Sequence, residues 1–328
     1  LHTSNLFASK LNEEVAELFD RLVGDGQALG GKVFFANSGA EANECAIKLA
    51  RRFGGRGRFV VVSAYGSFHG RTLATLHATG QPAKHEVFAP LPEGFRHVAF
   101  GDVEAMSKAA DPTVVAGILL EVIEGEGGVI PAPPGYLKAV REICDERGIL
   151  LMIDEIQTGL GRTGRWFAFQ DEGVLPDVVT SAKALGNGMP VGACWARGEV
   201  AEVFQPGDHG STFGGQPLAM SAAKATLEVM VSLDVPSLAR HAGASLSLGL
   251  RGLKGVASVR GRGLLLGAVL EDGLDADAIV KAALHAGLVI NAPVAGVLRI
   301  APPLIVSDAE IKEALAILRG VLDGRCNT

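Results

Sequence analysis

A chain of 328 residues, 48% of them hydrophobic, can bury a large core, and its length suggests one larger domain and one smaller. A formal net charge of −6 offers no basic patch for nucleic acid and no polybasic stretch for a membrane surface, so the expected partners are small molecules. No apolar run is long enough to span a bilayer and no signal-peptide pattern opens the chain.

The opening "LHTSNLF" is polar and lacks an initiator methionine. It runs straight into the helical spacing of Leu11, Val15, Leu18, Phe19 and Leu22, so the expectation is that the natural N-terminus lies upstream. Short apolar runs then alternate with helical patterns: "KVFFANSG", "AEANECAIKLARRF", "RFVVVSAYGSF", "VVAGILLEVIEGEGG", "GYLKAVREICDERG", "ILLMIDE", "PDVVTSAKALGNG" and "VGACWA". Continuous apolar runs separated by helices indicate parallel strands covered on both faces, the α/β class, in which ligands gather at the carboxyl ends of the strands. From about Gln216 the helical stretch "QPLAMSAAKATLEVMVSL" leads to a different pattern. "VASVRGRGLLLGAVL" and "GLVINAPVAGVLRIAPPL" read as strands or hairpins, and "SDAEIKEALAILRGVL" as a closing helix with a capping box at Ser307 and Glu310. The expected division is a large domain over 1–215, then a linking helix and a smaller α+β domain over 216–328.

Cys45, Cys144, Cys194 and Cys326 are widely spaced, with no CxxC and no histidine at metal-ligand spacing. They read as reduced thiols of a cytoplasmic protein, with core packing expected for at least the first three and no metal site.

Four stretches carry chemistry. In "NSGAEANE", Ser38 and Glu41 have capping-box spacing, and Gly39 and Ala40 leave N–H groups open at a helix start, which suits a phosphate; a plain strand-turn-helix junction gives the same pattern. In "SAKALGNG", Lys183 ends an apolar strand between alanines. Partial desolvation there would favour a neutral amine able to form a Schiff base, whereas a snorkelling surface lysine is the commoner case. Asp154, with Gln157 in the turn after it, ends "ILLMID". A buried carboxylate needs a positive partner, either a protonated pyridine nitrogen or an arginine of "GRTGR". Finally, "SFHGRT" offers Arg71 as a bidentate carboxylate clamp or a surface arginine, and His69, which reads as a hydrogen-bonded packing residue before a catalytic base.

Together these are the parts of a pyridoxal phosphate site. "HTSNLF", "FFANSGAEANECAIKLAR", "SFHGRTLATLHATGQP", "GEGGVIPAPPGYL", "LMIDEIQTGLGRTG", "SAKALGNGMPVGA", "HGSTFGGQPLA" and "LRIAPPL" resemble, in order along almost the whole chain, the class III pyridoxal phosphate aminotransferases. The resemblance implies fold type I, with a large mainly parallel sheet, and a homodimer with shared active sites. It further implies that Lys183 holds the cofactor covalently, Asp154 pairs with its ring nitrogen and Gln157 lies near its ring hydroxyl. Ser38, Gly39 and Ala40 hold the phosphate, Thr212 reaches it from the partner subunit, and Phe68 stacks on the ring. Arg71 and Ser211 face substrate, and Glu126 with Arg299 matches a pair that opens and closes a second carboxylate site.

The physical logic agrees. Asp154 keeps the ring nitrogen protonated so that it accepts electrons, and Lys183 carries the proton that the substrate loses. The implied amino donor, N-acetylornithine, reacts at its terminal amine and brings its carboxylate to Arg71; glutamate reacts at its α-amine and needs a second arginine near the ring. Glu126 is the candidate mask of that second arginine, Arg299. Succinylornithine, ornithine and 4-aminobutyrate are rival donors, and a catalytically silent dimeric homologue is the alternative outside enzymes. Val122 and Glu124 stand where the family usually has proline and glutamine, and Asn187 and Gln216 where it has glycine and asparagine. The family's N-terminal segment, which helps to form the substrate entrance, is expected to be missing.

Overall fold

The computed structural model describes residues 2–324, so Cys326 lies outside the described residues. By their contacts the residues form two units: Leu1–Val122, Ala132–Leu160 and Trp166–Ser232 make the first, and Ile123–Pro131, Gly161–Arg165 and Leu233–Thr328 the second. In chain order the strands are β1 (Lys32–Ala36), β2 (Val60–Ala64), β3 (Phe95–Val98), β4 (Val115–Glu121), β5 (Ile123–Glu124), β6 (Ile130–Pro131), β7 (Leu150–Asp154), β8 (Val178–Ser181), β9 (Gly192–Ala196), β10 (Val256–Arg262), β11 (Leu265–Leu270), β12 (Asn291–Val294) and β13 (Val297–Ile300).

The first unit holds a seven-stranded sheet in the order β1-β9-β8-β7-β4-β2-β3. From β8 to β3 all neighbours run parallel, while β9 is antiparallel to both β8 and β1. Every residue of β4, β7 and β8 is buried, which is why their sequences are unbroken apolar runs. Because β9 alone is reversed, β1 points the same way as β7 and β8. The carboxyl ends of β1, β2, β4, β7 and β8 therefore share one edge, and the fold is the expected α/β type with a large mainly parallel sheet.

Helix α1 (Lys10–Val23) is tied down by Asp20, a buried carboxylate. It accepts the N–H groups of Leu29, Gly30 and Gly31 at 2.8, 3.0 and 2.9 Å and the Trp195 indole N–H at 2.8 Å. A Cβ on Gly31 would lie 2.2 Å from the Trp195 ring, so glycine is required where the loop crosses it. The helix Pro217–Ser232 packs on α1, and Cys45, Cys144 and Cys194 are free and buried, as core packing predicts. No helix among the described residues is long and apolar enough to cross a membrane.

The second unit is α+β, with an antiparallel sheet in the order β10-β11-β13-β12. Leu246, Leu250, Leu266, Leu298, Ile311 and Leu318 form its core between this sheet and its helices. The closing helix Asp308–Leu322 starts on the expected capping box: Glu310 N donates to Ser307 Oγ at 3.3 Å, and Ser307 N to Glu310 Oε2 at 2.7 Å. "VVAGILLEVIEGEGG" reads as one run, but β4 stops at Glu121 and β5 pairs back on β6. Gly128 and Val129, with φ of 109° and 57°, supply the left-handed backbone of that turn.

Candidate active site

Strand β7 delivers Asp154 to the carboxyl edge, where the side chain is buried and fully engaged. Its Oδ2 accepts from Asn43 Nδ2 and His69 Nδ1, each at 2.8 Å, and its Oδ1 from Ile156 N at 3.0 Å. Asn43 also donates to the His69 carbonyl at 2.8 Å and accepts the Thr180 hydroxyl at 2.7 Å. One amide thus joins helix α2 (Gly39–Gly54), the loop after β2, and strands β7 and β8. The donors on Asp154 are an amide, an imidazole and a backbone N–H. Arg162 of "GRTGR", the kind of ion-pair partner weighed from sequence, donates instead to the carbonyls of Leu264 and Pro302.

Glu155, next in sequence, is a different carboxylate. It is buried, accepts from Thr158 Oγ1 at 2.5 Å and Phe169 N at 3.0 Å, and burial pushes it up to about 7. It braces the turn that follows Asp154, in which Gln157 sits half-buried.

Beyond β1, Ser38 caps α2 and its Oγ accepts Glu41 N at 3.2 Å. The reciprocal half of the expected box goes elsewhere: Glu41 Oε2 takes the backbone N–H of Asn37 at 2.7 Å and its side-chain amide at 2.8 Å. Gly39 packs on Ile156, whose Cδ1 would be 2.8 Å from a Cβ there, and a Cβ on Gly192 would lie 2.2 Å from the Ser38 carbonyl oxygen, so β9 passes Ser38 only as glycine. The N–H groups of Gly39 and Ala40 belong to the first helical turn and have no acceptor within the helix. N–H groups so placed, at the positive end of a helix dipole, suit a phosphate-sized anion.

Lys183 follows β8 by two residues, and β8 lies beside β7 with Thr180 opposite Asp154. Contrary to the desolvation expected from its alanine neighbours, Lys183 is exposed in the chain by itself. Ser181 and Ala182, just before it, are buried, and a φ of 46° at the lysine is left-handed. Such a left-handed conformation at a non-glycine residue costs on the order of 1 kcal/mol and is held by the surrounding structure.

The loop after β2 is pinned by Phe68 N, which donates to Glu121 Oε2 at 2.9 Å. The Arg71 guanidinium lies 5.5 Å from the Phe68 ring centre, and Arg71 is exposed. Ser211 and Thr212 line a cavity of about 760 Å³ with Asn5, Asn12, Phe34 and His209 among its walls. Asn5 Nδ2 donates to the carbonyls of Ser211 and Gly214 at 2.8 and 2.9 Å, and Asn37 Nδ2 to Ser211 Oγ at 3.3 Å.

In the second unit Glu126 Oε1 lies 2.7 Å from Arg299 Nη1. Gly267 stands opposite Arg299 in the β11/β13 register, and a Cβ there would be 3.0 Å from Val129 Cβ. Arg260 grips the Gly128 carbonyl at 2.9 and 2.7 Å and holds the same turn in place. Arg299 Nε donates to Asn291 Oδ1 at 3.1 Å across β12 and β13. Glu124, two residues before Glu126, is 2% exposed, its Oε1 has no hydrogen-bond partner, and burial pushes it up to about 8.

Residues 1–322 match the family model for class III aminotransferases. The chain belongs to the class III aminotransferases. It is 49% identical over 326 residues to the acetylornithine aminotransferase of Corynebacterium efficiens, which covers 98% of this chain and 80% of that protein. Among solved structures, N-acetylornithine aminotransferase from Stenotrophomonas maltophilia K279a superposes with a TM-score of 0.83 at 37% identity, covering 99% of this chain and 82% of the other. Ornithine aminotransferase from Toxoplasma gondii, in which partial occupancy of pyridoxal phosphate was described, gives 0.92 at 32% identity over 98% and 78%. Two polar groups of this class III aminotransferase escape a reading of sequence: Asn43, a polar residue on the buried face of α2, and Asn291, on an edge strand. The only advance signal was for Asn43, which interrupts the apolar face between Ala42 and Cys45.

Proposed function

We propose that the protein is a pyridoxal-phosphate-dependent acetylornithine aminotransferase. It moves the terminal amino group of N2-acetyl-L-ornithine to 2-oxoglutarate, giving N-acetyl-L-glutamate 5-semialdehyde and L-glutamate, as a cytoplasmic homodimer in arginine biosynthesis. Residues 1–215 carry the cofactor groups. The chemistry rests on one observation, the buried Asp154 held by an amide, an imidazole and a backbone N–H at the end of β7, beside a helix start and a lysine on the same sheet edge. The choice of donor rests on the likeness to acetylornithine aminotransferases.

The residues fit the cofactor. When bound, it supplies the electron sink and the temporary amino-group carrier that transamination needs. Asp154, oriented by Asn43 and His69, would hold the ring nitrogen. Ser38, Gly39 and Ala40 would hold the cofactor's phosphate, and Phe68 and Gln157 would hold its ring. Lys183, exposed at the edge, would hold the cofactor, and its amine would serve as the base that moves a proton at the carbon bearing the substrate's amine. Arg71 binds the distal carboxylate of either donor with Ser211 beside it, and Arg299 binds the second carboxylate of glutamate when Glu126 withdraws.

The homodimer reading is supported by exposed apolar side chains near Thr212: Leu6, Phe7 and Phe213 are 90%, 71% and 57% exposed. Thr212 is then the group offered to the partner's phosphate. A steady-state panel of amino donors with 2-oxoglutarate tests the assignment. N-acetylornithine should give the highest kcat/KM; a higher value for ornithine or 4-aminobutyrate, or no turnover of any donor, would overturn it.

A further inference from the structure

Two cations stand over the ring of Phe68. The Arg71 guanidinium lies 5.5 Å from its centre and the Lys84 ammonium 6.0 Å. A cation over an aromatic face is attracted to it but keeps its charge. Among the described residues no carboxylate pairs with either group, so two positive charges share one ring without a counter-ion. Like charges so placed repel, and an anion that joins them relieves the repulsion.

Lys84 is held where it stands. It closes the short helix Pro82–Lys84, and its ammonium donates to Gln81 Oε1. The same Gln81 amide turns its Nε2 back on the loop after β2, donating to the carbonyls of Ser67 at 3.0 Å and Gly66 at 3.4 Å. Gly80 N donates to Ser67 Oγ at 3.0 Å, and Gly66 N to the Gly80 carbonyl at 2.9 Å. The segment that carries Lys84 is thus laced to the backbone that carries Phe68. A lysine fixed by a neutral amide has lost part of its rotamer freedom in advance and keeps its full charge for a ligand. Arg71 is exposed and makes no hydrogen bond among the described residues, so its fork can turn to an anion that Lys84 already holds.

We propose that Lys84 is a second substrate-binding residue, whose ammonium shares the distal carboxylate of the amino donor with Arg71. This rests on the reading of Arg71 as the clamp for that carboxylate. An ionised carboxylate has lone pairs enough for both: the guanidinium fork takes one on each oxygen, and the ammonium takes another. The fork fixes the plane of the carboxylate, whereas the ammonium is a point charge that adds attraction with little demand on direction. The two donors need that tolerance, because N-acetylornithine has one more carbon than glutamate between its reacting carbon and its distal carboxylate.

The test uses the cofactor-loaded, full-length chain and single-turnover half-reactions, which give a half-saturating concentration and a limiting rate for each donor. Lys84→Met keeps the length of the side chain and removes its charge. It should raise the half-saturating concentration of both N-acetylornithine and glutamate about tenfold and leave the limiting rates within about twofold. Calorimetry with glutarate, an unreactive dicarboxylate, should show affinity weakened about tenfold as well. Lys84→Arg, which restores the charge, should return all these constants to within about threefold of native. Loss of structure alone would lower the limiting rates and would not be rescued by arginine. Unchanged half-saturation in Lys84→Met, limiting rates that fall in step with affinity, or no rescue by Lys84→Arg would overturn the proposal. Arg71→Ala separates the two levels. If it leaves both donors unaffected, the reading of Arg71 as the clamp is wrong; if it weakens both while Lys84→Met is silent, only the role of Lys84 falls.

Discussion

His69 Nδ1 and Asp154 Oδ2 lie 2.8 Å apart, with both side chains buried. The imidazole clamps the carboxylate through Nδ1, on the side away from Ile156 N, which donates to the other oxygen at 3.0 Å. The other ring nitrogen, Nε2, is buried without a hydrogen-bond partner.

The first prediction concerns this pair. Asp154→Asn keeps the shape but removes the carboxylate proposed to hold the ring nitrogen. It should lower kcat by about two to four decades, with folded protein still able to bind cofactor more weakly. Turnover within a few-fold of the native rate would show that the carboxylate is only structural.

Asp20 provides a test of the scaffold, remote from the chemistry. Asp20→Ala strands three backbone N–H groups and the Trp195 indole N–H, all held at 2.8–3.0 Å in the native chain. The expected loss is about 3–5 kcal/mol, one of the larger single-site effects, because several buried donors go unpaired together. Urea unfolding followed by far-UV circular dichroism measures it, and a loss below about 1 kcal/mol would mean that water replaces the carboxylate.

Much of this was legible in the sequence, for physical reasons. "LLMID" and "VVTS" are unbroken apolar runs because both faces of β7 and β8 are covered, and that alone places Asp154 and Lys183 at the ligand edge. Register and side-chain direction were not legible. The capping box expected at Ser38 is half made because Asn37 competes for Glu41, and the contact of Asn291 with Arg299 depends on how β12 turns back from β13. The exposure of Lys183 was missed because it is set by one left-handed residue and not by the polarity of its neighbours.

Glu124 makes stability depend on pH. Its ordinary value of 4.5 applies in the unfolded chain, and burial raises it to about 8 in the fold. Between those values the folded protein keeps a proton that the unfolded chain has released, so this group's contribution is intact below about 4.5 and is lost as pH rises through about 8. Glu124→Gln should therefore match the native protein at pH 4 and exceed it by roughly 2–5 kcal/mol at pH 8. Chemical denaturation at several pH values decides the point; a difference that does not change with pH would place a cation or a water chain beside the carboxyl.

The last prediction addresses the two arginines. Each donor carries a carboxylate far from its reacting amine, so Arg71 should serve both half-reactions. Only glutamate carries a second carboxylate near the reacting carbon, so Arg299 should matter chiefly for glutamate. Losing a bidentate, charge-assisted contact in a partly dry site costs roughly 2–4 kcal/mol, or about one and a half to three decades in kcat/KM. Arg71→Ala should therefore damage both half-reactions by that amount, and Arg299→Ala only the half-reaction with glutamate. Glu126 Oε1 now occupies Arg299 Nη1 at 2.7 Å, so Glu126→Ala should open the site and favour glutamate over N-acetylornithine. Single-turnover rates with each donor measure these effects separately. Equal losses for both donors in Arg299→Ala would refute the switch while leaving the aminotransferase chemistry of Lys183 and Asp154 intact.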